Sequence, residues 1–311
     1  MAPLTTVMTH HFQETVYTLS DDERGAEQGV LAALGVHFAN FVGSLREAYD
    51  AMTAQTPFAD GVAFERVDDA QLQGWWVRPH AAPRDRAMLF LHGGAYMLGS
   101  AEAYRGFVSQ IAARAGVAAF VLDYPLAPEH PFPAAFDAVV AASRWLSGRG
   151  IEQLSLVGDS AGGGLALAAL RHGQGRAPKV ASAVVFSPWV DLALSGASLA
   201  DSHTLDPIFQ PSVLQAAAAT YLDGADPRDS RASPLYDIPP TLPPLAIQVG
   251  SNELLLDDAR RYAAAAATRG GKVQLDVYEG LHHVFQRSTE KLRSARVALD
   301  AAGSFIATHW L

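Results

Sequence analysis

The chain has 311 residues, of which 49% are hydrophobic and 18% charged, so it can bury a sizeable core and is not intrinsically disordered. It contains no cysteine, which excludes a disulfide scaffold, a thiolate metal site and a cysteine nucleophile. The formal net charge is −9 and no basic cluster occurs, so nucleic acid and anionic membrane are poor candidate partners and a soluble enzyme is favoured.

Length alone is compatible with two domains or with one large α/β domain. Residues 1–20 lack the cationic segment followed by an apolar run that is typical of a signal peptide. No stretch approaches the ~20 apolar residues that a bilayer crossing takes. We therefore take the cytoplasm as the default location.

The first 50 residues predict a helical segment that stands apart from the rest. Ser20 to Glu23 match a capping box at its start. Several glycines weaken this helix by about 1 kcal/mol each relative to alanine, so we expect it to lie on another part of the protein, as a lid. Apolar residues at steps of three and four predict one buried face, formed by Leu34, Phe38, Phe41, Leu45, Tyr49 and Met52.

From Val62 onward, predicted strands and helices alternate, which indicates a mostly parallel sheet covered on both faces and thus the α/β class. An irregular, proline-rich insert at about 191–244 interrupts the alternation. The predicted strands are Val62–Val67, Leu72–Val77, Ala87–His92, Val117–Asp123, Gln153–Val157, Val180–Phe186, Leu245–Val249 and Val273–Tyr278. The predicted helices are Tyr104–Ala115, Phe136–Leu146, Ala161–Arg171, Asp257–Thr268 and Glu290–Trp310.

The segment from Gly158 to Gly162, with the sequence Gly-Asp-Ser-Ala-Gly, fits a G-x-S-x-G nucleophile elbow. In such an elbow the serine occupies a strained turn between a strand and a helix, and its neighbours must be small. A predicted strand precedes this motif and a predicted helix follows it. The alternative, a glycine-rich phosphate loop, lacks the Gly-Lys-Ser/Thr that it requires. The motif therefore predicts Ser160 as a nucleophile.

A second motif, His92-Gly93-Gly94-Ala95, lies at the end of the third predicted strand. By itself, His-Gly-Gly after a strand is more often a tight turn. In a protein that also carries a nucleophile elbow, such a loop supplies backbone N–H groups for an oxyanion, together with the N–H of the residue after the nucleophile. The two motifs together favour this functional interpretation.

A serine elbow also needs an acid and a histidine, which follow it along the chain in that order. Of the later histidines, only the adjacent pair His282 and His283 follows a predicted strand, on a loop that Gly280 opens. A metal site at this pair is the alternative, but adjacent side chains do not share a face and no HExxH spacing is present. The remaining histidines after the elbow are His172, His203 and His309.

The acid is expected just after the strand Leu245–Val249, where Glu253, Asp257 and Asp258 are the candidates. Glu253 lies at the exit of the strand. Asp257 and Asp258 fall in the first turn of the next helix, where a carboxylate interacts favourably with the helix dipole. Position favours Glu253, and Asp257 stays open as the alternative.

Taken together, these motifs resemble the bacterial hormone-sensitive-lipase family (family IV) of α/β-hydrolases over roughly Ala87–Phe285. That family's spacing selects His283 over His282. The chain departs from the family pattern in carrying Ala95 for the third loop glycine, Pro125 for an arginine and Glu253 for an aspartate. Other matching segments are Asp123–Ala134, Pro188–Asp191 and His283–Phe285.

The resemblance implies an α/β-hydrolase domain at 51–311, under a helical cap formed by 1–50 and part of 191–225. It implies a serine carboxylesterase for short-chain esters or lactones, with no metal or organic cofactor and a small-molecule ester as partner; a homodimer is left open. The implied catalytic residues are Ser160, Glu253 and His283, with the N–H groups of Gly93, Gly94, Ala95 and Ala161 at the oxyanion.

Two other functions stay open at this point. One is cleavage of amides or peptides on the same fold, which the triad alone does not separate from ester hydrolysis. The other is a catalytically silent binding protein, as in the plant gibberellin receptor of this fold, which lacks the triad histidine. His283 is present in this chain and argues against that second alternative.

Overall fold

The computed structural model describes residues 3–8, 12–69, 72–173, 175–200 and 205–310. The strands of this part of the chain are β1 Pro3–Met8, β2 Phe12–Tyr17, β3 Val62–Asp68, β4 Gln73–Pro79, β5 Arg86–Leu91, β6 Ala118–Leu122, β7 Gln153–Asp159, β8 Lys179–Phe186, β9 Leu245–Gly250 and β10 Val273–Tyr278. The helices are α1 Asp21–Asn40, α2 Leu45–Thr53, α3 Ala101–Ala115, α4 Ala134–Ser147, α5 Ala161–His172, α6 Ala197–Ala200, α7 Pro211–Leu222, α8 Leu256–Thr268 and α9 Arg293–Thr308.

All of these strands join one sheet in the order β1-β2-β10-β9-β8-β7-β5-β6-β4-β3. The seven strands from β2 to β6 in that order run parallel to their neighbours, and antiparallel pairs occur only toward the two edges. The prediction of a mostly parallel sheet is confirmed. Its central strands are buried on both faces, which explains their continuous apolar runs.

Helices cover both faces of the sheet. Leu299 of α9 and Phe107 of α3 pack in one apolar cluster, and the helices α4, α5 and α8 pack in another on the opposite face. Side chains of a strand alternate between these clusters, so that Phe120 of β6 belongs to one and Val121 to the other. This layering holds the sheet as a rigid platform whose carboxyl edge carries the loops described below.

The amino-terminal prediction is wrong in three respects. Pro3–Met8 and Phe12–Tyr17 are strands at one edge of the sheet, which the prediction of a helical segment over the first 50 residues did not contain; helix begins at Asp21, directly after Ser20 as predicted. The predicted single helical face is split into α1 and α2, because the chain leaves the helix at 41–44, where Gly43 has a φ of +148°. The third error concerns the capping box.

Ser20 precedes α1, but its side chain caps no amide there. Glu23, the proposed partner in the box, is buried and instead accepts the Ser294 amide at the start of α9. The capping box is found one helix later, where the Ser44 and Glu47 side chains each accept from the other's backbone N–H at the start of α2. A tertiary contact has thus taken the carboxylate on which the sequence pattern relied.

The insert after β8 is less irregular than predicted, since it carries α6 and α7. Within the described ranges, no helix combines the length and the apolar character that a bilayer crossing requires.

Asp258, in the first turn of α8, is buried and holds the loop that follows β8. Its Oδ2 accepts the Val190 amide at 2.9 Å and the Asp191 amide at 3.0 Å, whereas its Oδ1 is buried without a hydrogen-bond partner among the described residues. Burial raises the pKa of the Asp258 carboxyl to about 8; the two amides lower that pKa, and the nearby Asp191 charge raises it.

We expect the free energy of unfolding to fall more steeply between pH 5 and pH 8 in the wild type than in Asp258→Asn. The folded pKa lies above the unfolded one, so the contribution of this carboxyl is complete below about pH 4 and is lost as the pH rises toward the folded value. Asparagine has the same shape and does not ionise. Urea denaturation across this pH range measures the difference, and parallel pH dependences would contradict the prediction.

Candidate active site

Ser160 lies in the tight turn between β7 and α5. Its φ of 53° is in the left-handed region, which is strained for a residue with a side chain. The Ser160 amide donates to the Phe186 carbonyl at 2.8 Å, which holds the turn against the end of β8. A Cβ at Gly158 would lie 2.8 Å from the Leu91 carbonyl oxygen, and one at Gly162 would overlap the same carbonyl. Close backbone approach therefore requires both glycines of the motif.

His283 and Glu253 form a buried pair at the ends of β10 and β9. His283 Nδ1 lies 2.8 Å from Glu253 Oε2, and the side chains are 3% and 0% exposed. Because an ionised carboxylate only accepts hydrogen bonds, Nδ1 carries the hydrogen and Nε2 of the neutral ring is left to accept a proton. Asp257, the alternative acid, contacts a different segment, since its Oδ2 accepts the Ser198 amide at 3.1 Å.

The second oxygen of Glu253 is also engaged. Oε1 accepts the Ser187 hydroxyl at 2.7 Å and the Gly250 amide at 2.7 Å. Ser187, which follows β8 with a φ of 46°, accepts in turn the amide of Val284 at 3.1 Å. Sequence analysis missed Ser187, and its only signal was its place directly before the Pro188–Asp191 segment. This serine connects the acid to the loop that carries the histidine.

His282 points to another partner. Its Nδ1 lies 2.7 Å from Glu27 Oε1, and the same oxygen accepts the His282 amide at 3.0 Å. Each of the adjacent histidines therefore has its own carboxylate, one on α1 and the other after β9. Of the other histidines considered, His172 packs edge-on against Phe136, and His309 contacts the Phe305 carbonyl. His203 lies outside the described residues.

The three catalytic residues predicted from the sequence, together with Ser187, thus gather at the carboxyl ends of four neighbouring parallel strands. Ser160 follows β7, Ser187 follows β8, Glu253 follows β9 and His283 follows β10. Among the described contacts, no hydrogen bond joins the Ser160 hydroxyl to His283. In active sites without substrate this bond is often long and shortens only in the complex.

In the loop after β5, one of the backbone N–H groups predicted to bind the oxyanion already has other partners. The Gly93 amide donates to Asp159 Oδ1 at 2.9 Å and to the Tyr104 hydroxyl at 3.1 Å, so this N–H is already engaged. Within the described part of the chain, no side chain accepts a hydrogen bond from the amide of Gly94 or Ala95. Ala95, which stands in place of the third loop glycine, has a φ of 53°, a conformation that is strained for a residue with a side chain.

Asp159, the residue before Ser160, is the anchor of that loop. It is fully buried, and its Oδ2 accepts the Tyr104 hydroxyl at 2.9 Å. Burial is the main cause that raises the pKa of the Asp159 carboxyl, while Arg287 and the hydrogen bonds from Tyr104 and Gly93 lower it. A side chain at Gly93 would collide with this carboxylate, because an added Cβ would lie 2.5 Å from its Oδ2. The second residue of the elbow motif thus shapes the oxyanion loop.

A segment of the insert that contains Asp206 and Phe209 contacts both the histidine and the turn after the acid. The ring of Phe209 packs edge-on against His283, with centroids 5.0 Å apart. Asp206 Oδ1 accepts the amides of Ile208 and Phe209, each at 2.8 Å, and Oδ2 accepts the amide of Leu254 at 2.8 Å. Because Leu254 follows Glu253 directly, one carboxylate positions both the aromatic neighbour of the histidine and the turn that carries the acid. The sequence offered only an Asp-Pro turn as a signal.

Comparisons with known proteins agree with this geometry. A family model described as alpha/beta hydrolase fold matches residues 88–287, a range that contains the elbow, the oxyanion loop and the histidine–glutamate pair. An acetyl-hydrolase of Streptomyces hygroscopicus is 42% identical over 236 residues, which cover 75% of this chain and 79% of that protein. An esterase of Acinetobacter venetianus is 34% identical over 266 residues, covering 84% and 88%.

Solved structures are similar over nearly the whole chain. An esterase from the bacterial hormone-sensitive lipase family superposes with a TM-score of 0.86 and 36% identity, covering 92% of this chain and 98% of that one. The crystal structure of EstE5 soaked by p-nitrophenyl butyrate has a TM-score of 0.81 and 35% identity, covering 94% and 99%.

We expect Asp206→Ala to lower kcat by about tenfold to a hundredfold with little change in KM, because removing a charged acceptor from three amides costs about 1.5–3 kcal/mol. Asp226→Ala is the matched control: Asp226 also accepts the amide two residues on, that of Arg228 at 2.9 Å, but in an exposed turn outside the site. Steady-state kinetics on folded variants measures both, and an Asp206→Ala enzyme with the kcat of the wild type would contradict the positioning role.

Proposed function

Since the chain belongs to the bacterial hormone-sensitive-lipase family of α/β-hydrolases and is a carboxylesterase, we propose that it hydrolyses short-chain carboxylic esters through an acyl-enzyme on Ser160. The observation that carries this proposal is the buried His283–Glu253 pair at 2.8 Å, at the same edge of the sheet as the serine elbow after β7. Both side chains are oriented before any substrate arrives, as nucleophilic catalysis by a serine requires.

In the proposed reaction, His283 Nε2 takes the hydroxyl proton as Ser160 Oγ bonds to the ester carbonyl carbon. The tetrahedral intermediate collapses with cleavage of the carbon–oxygen bond, and His283 gives the proton to the departing alcohol. Water then attacks the acyl-enzyme by the same route, which releases the carboxylic acid and restores Ser160. Glu253 holds the Nδ1–H tautomer and stabilises the imidazolium in both halves.

The negative charge on the carbonyl oxygen needs fixed donors. We assign this role to the amides of Gly94, Ala95 and Ala161, because the Gly93 amide is committed to Asp159. Ala161 is the first residue of α5, where a backbone N–H has no partner within the helix and the dipole favours negative charge.

The proposed cap consists of α1, α2 and the helical part of the insert, over a catalytic domain that begins near residue 51. Before the helices, Pro3–Met8 and Phe12–Tyr17 belong to the sheet and not to the cap. Two relatives support a small acyl group: the Streptomyces protein is an acetyl-hydrolase, and EstE5 was soaked by a butyrate ester. The Phe209 ring against His283 leaves the site an apolar wall suited to such a group.

A panel of p-nitrophenyl esters from acetate to palmitate tests the proposed substrate class. We expect kcat/KM to be greatest for acetate or butyrate and to fall at least about tenfold for palmitate, while Ser160→Ala lowers kcat at least about 10⁴-fold without changing the fold by circular dichroism. Retained turnover by Ser160→Ala would refute the nucleophile. A matched p-nitroanilide that is cleaved as fast as the ester would instead favour amide hydrolysis.

Replacing each of the two adjacent histidines by alanine should have a different effect on activity and stability. His283→Ala removes the proposed base, so we expect turnover to be lost. His282→Ala removes the partner of Glu27 on α1, so we expect a lower melting temperature with much of kcat retained. Kinetics together with thermal unfolding distinguish the two effects, and the reverse pattern of activities would show that His282 is the base.

A further inference from the structure

A cavity of about 550 Å³ lies beneath the cap helix α1 and apart from the catalytic residues. Ala26, Gly29 and Val30 of α1 contribute to its apolar wall, together with Met52 from α2. Ser160, Glu253, His283 and the oxyanion loop do not line it. Its volume falls in the range of small-molecule sites, which run from about 300 to 1,000 Å³.

The Arg287 guanidinium forms part of this wall and has no carboxylate partner there. Within the described residues, no Asp or Glu oxygen lies within 4.0 Å of its nitrogens. Both of its side-chain hydrogen bonds are donated by Nη1, to the hydroxyls of Tyr49 and Thr53 at 3.3 Å each. Nε and Nη2 have no acceptor in the described part of the chain and are not among its fully buried atoms. These donors remain available to a ligand, and a guanidinium keeps its charge.

Other arginines that are partly buried do have a carboxylate. Arg114 binds Asp300 at 2.6 Å, and Arg261 binds the buried Asp191 at 2.9 Å. A cation withdrawn from water without such a partner is unfavourable, and an anion that enters the cavity would relieve it. Arg287 is therefore the feature of the cavity that most needs explanation.

A nearby acid does not supply the missing partner directly. Arg287 is joined to Tyr49, whose hydroxyl lies 2.8 Å from that of Tyr104, and Tyr104 donates to Asp159 at 2.9 Å. Two phenol groups therefore separate the guanidinium from the Asp159 carboxylate. This series of hydrogen bonds also connects the cavity to the oxyanion loop, because Asp159 accepts the Gly93 amide.

We propose that the cavity is a second binding site, for a monocarboxylate with a short apolar chain. The carboxylate pairs with the free edge of the Arg287 guanidinium, a planar fork that matches it in a bidentate manner. The apolar chain lies along the face of α1 that Ala26, Gly29 and Val30 present. Lys291 at the rim adds a second positive charge, opposed by Glu290. The choice of a carboxylic acid rests on the proposed function, since ester hydrolysis releases such acids.

Two glycines of α1 provide a matched pair of variants. A Cβ added at either Gly25 or Gly29 meets no atom within 4 Å, so the backbone of α1 accepts a side chain at both positions. Gly29 lines the cavity and Gly25 does not. Gly29→Leu should therefore fill the site, whereas Gly25→Leu leaves it open with the same change in helix composition.

The test is calorimetric titration of octanoate into the full-length protein after diethylphosphorylation by paraoxon, which blocks the catalytic serine. We expect octanoate to bind the blocked wild-type protein. Relative to that protein, its affinity should be at least about tenfold lower after Arg287→Gln or Gly29→Leu and unchanged after Gly25→Leu. Octanamide, which has the same chain and no charge, should bind at least about tenfold more weakly.

No binding to the blocked protein, while the unblocked enzyme binds octanoate, would assign the acid to the catalytic cleft and overturn the proposal. An affinity equal to that of the wild-type protein in both the Arg287→Gln and the Gly29→Leu variants would overturn it as well. Gly29→Leu keeps the test decisive if Arg287→Gln does not fold. Mass spectrometry of the phosphorylated residue tests Ser160 as nucleophile separately, so failure of the proposed function is distinguishable from failure of this one.

Discussion

The buried Glu253 carboxylate is the interaction on which the rest of the site depends. Its two oxygens bind His283 after β10, Ser187 after β8 and the Gly250 amide at the end of β9. A charge at 0% exposure is stable only if its acceptor sites are satisfied, so these three strand ends must meet at one point. The parallel sheet brings them there in the correct order, and the carboxylate fixes the orientation of the histidine ring.

A second buried carboxylate performs the same task for the oxyanion loop. Asp159 is next to Ser160 in the chain, yet its side chain points away from the serine, to the Gly93 amide and Tyr104. The elbow and the loop are thereby coupled through one residue. Positive φ angles at Ser160, Ser187, Ala95 and Val284 show that backbone strain concentrates at the same edge of the sheet, where the hydrogen bonds of the two carboxylates hold it.

The helices α1 and α2, which belong to the proposed cap, are attached mainly by polar contacts. Glu27 of α1 binds His282, and Arg46 of α2 donates to the Met97 and Ala127 carbonyls at 2.8 and 2.9 Å and to Glu129. Few side chains of α1 are buried, and its glycines leave open space. Charge-assisted bonds therefore fix where α1 and α2 lie, while little apolar burial holds them down. Such an attachment leaves room for the cavity beneath α1.

Sequence alone determined the α/β class, most strands and helices, the serine elbow, and the two loops after β9 and β10 on which the candidate acids and the adjacent histidines lie, because these depend on local periodicity and on short motifs with fixed spacing. It failed where a side chain serves a distant segment. Glu23 accepts an amide at the start of α9 and does not form the expected capping box, and the Gly93 amide donates to Asp159. The Ser187 and Asp206 contacts join segments 48 to 97 residues apart. Only the tertiary structure decided these pairings, since a buried polar group binds whichever partner the packed chain brings within reach, and sequence spacing does not encode that distance.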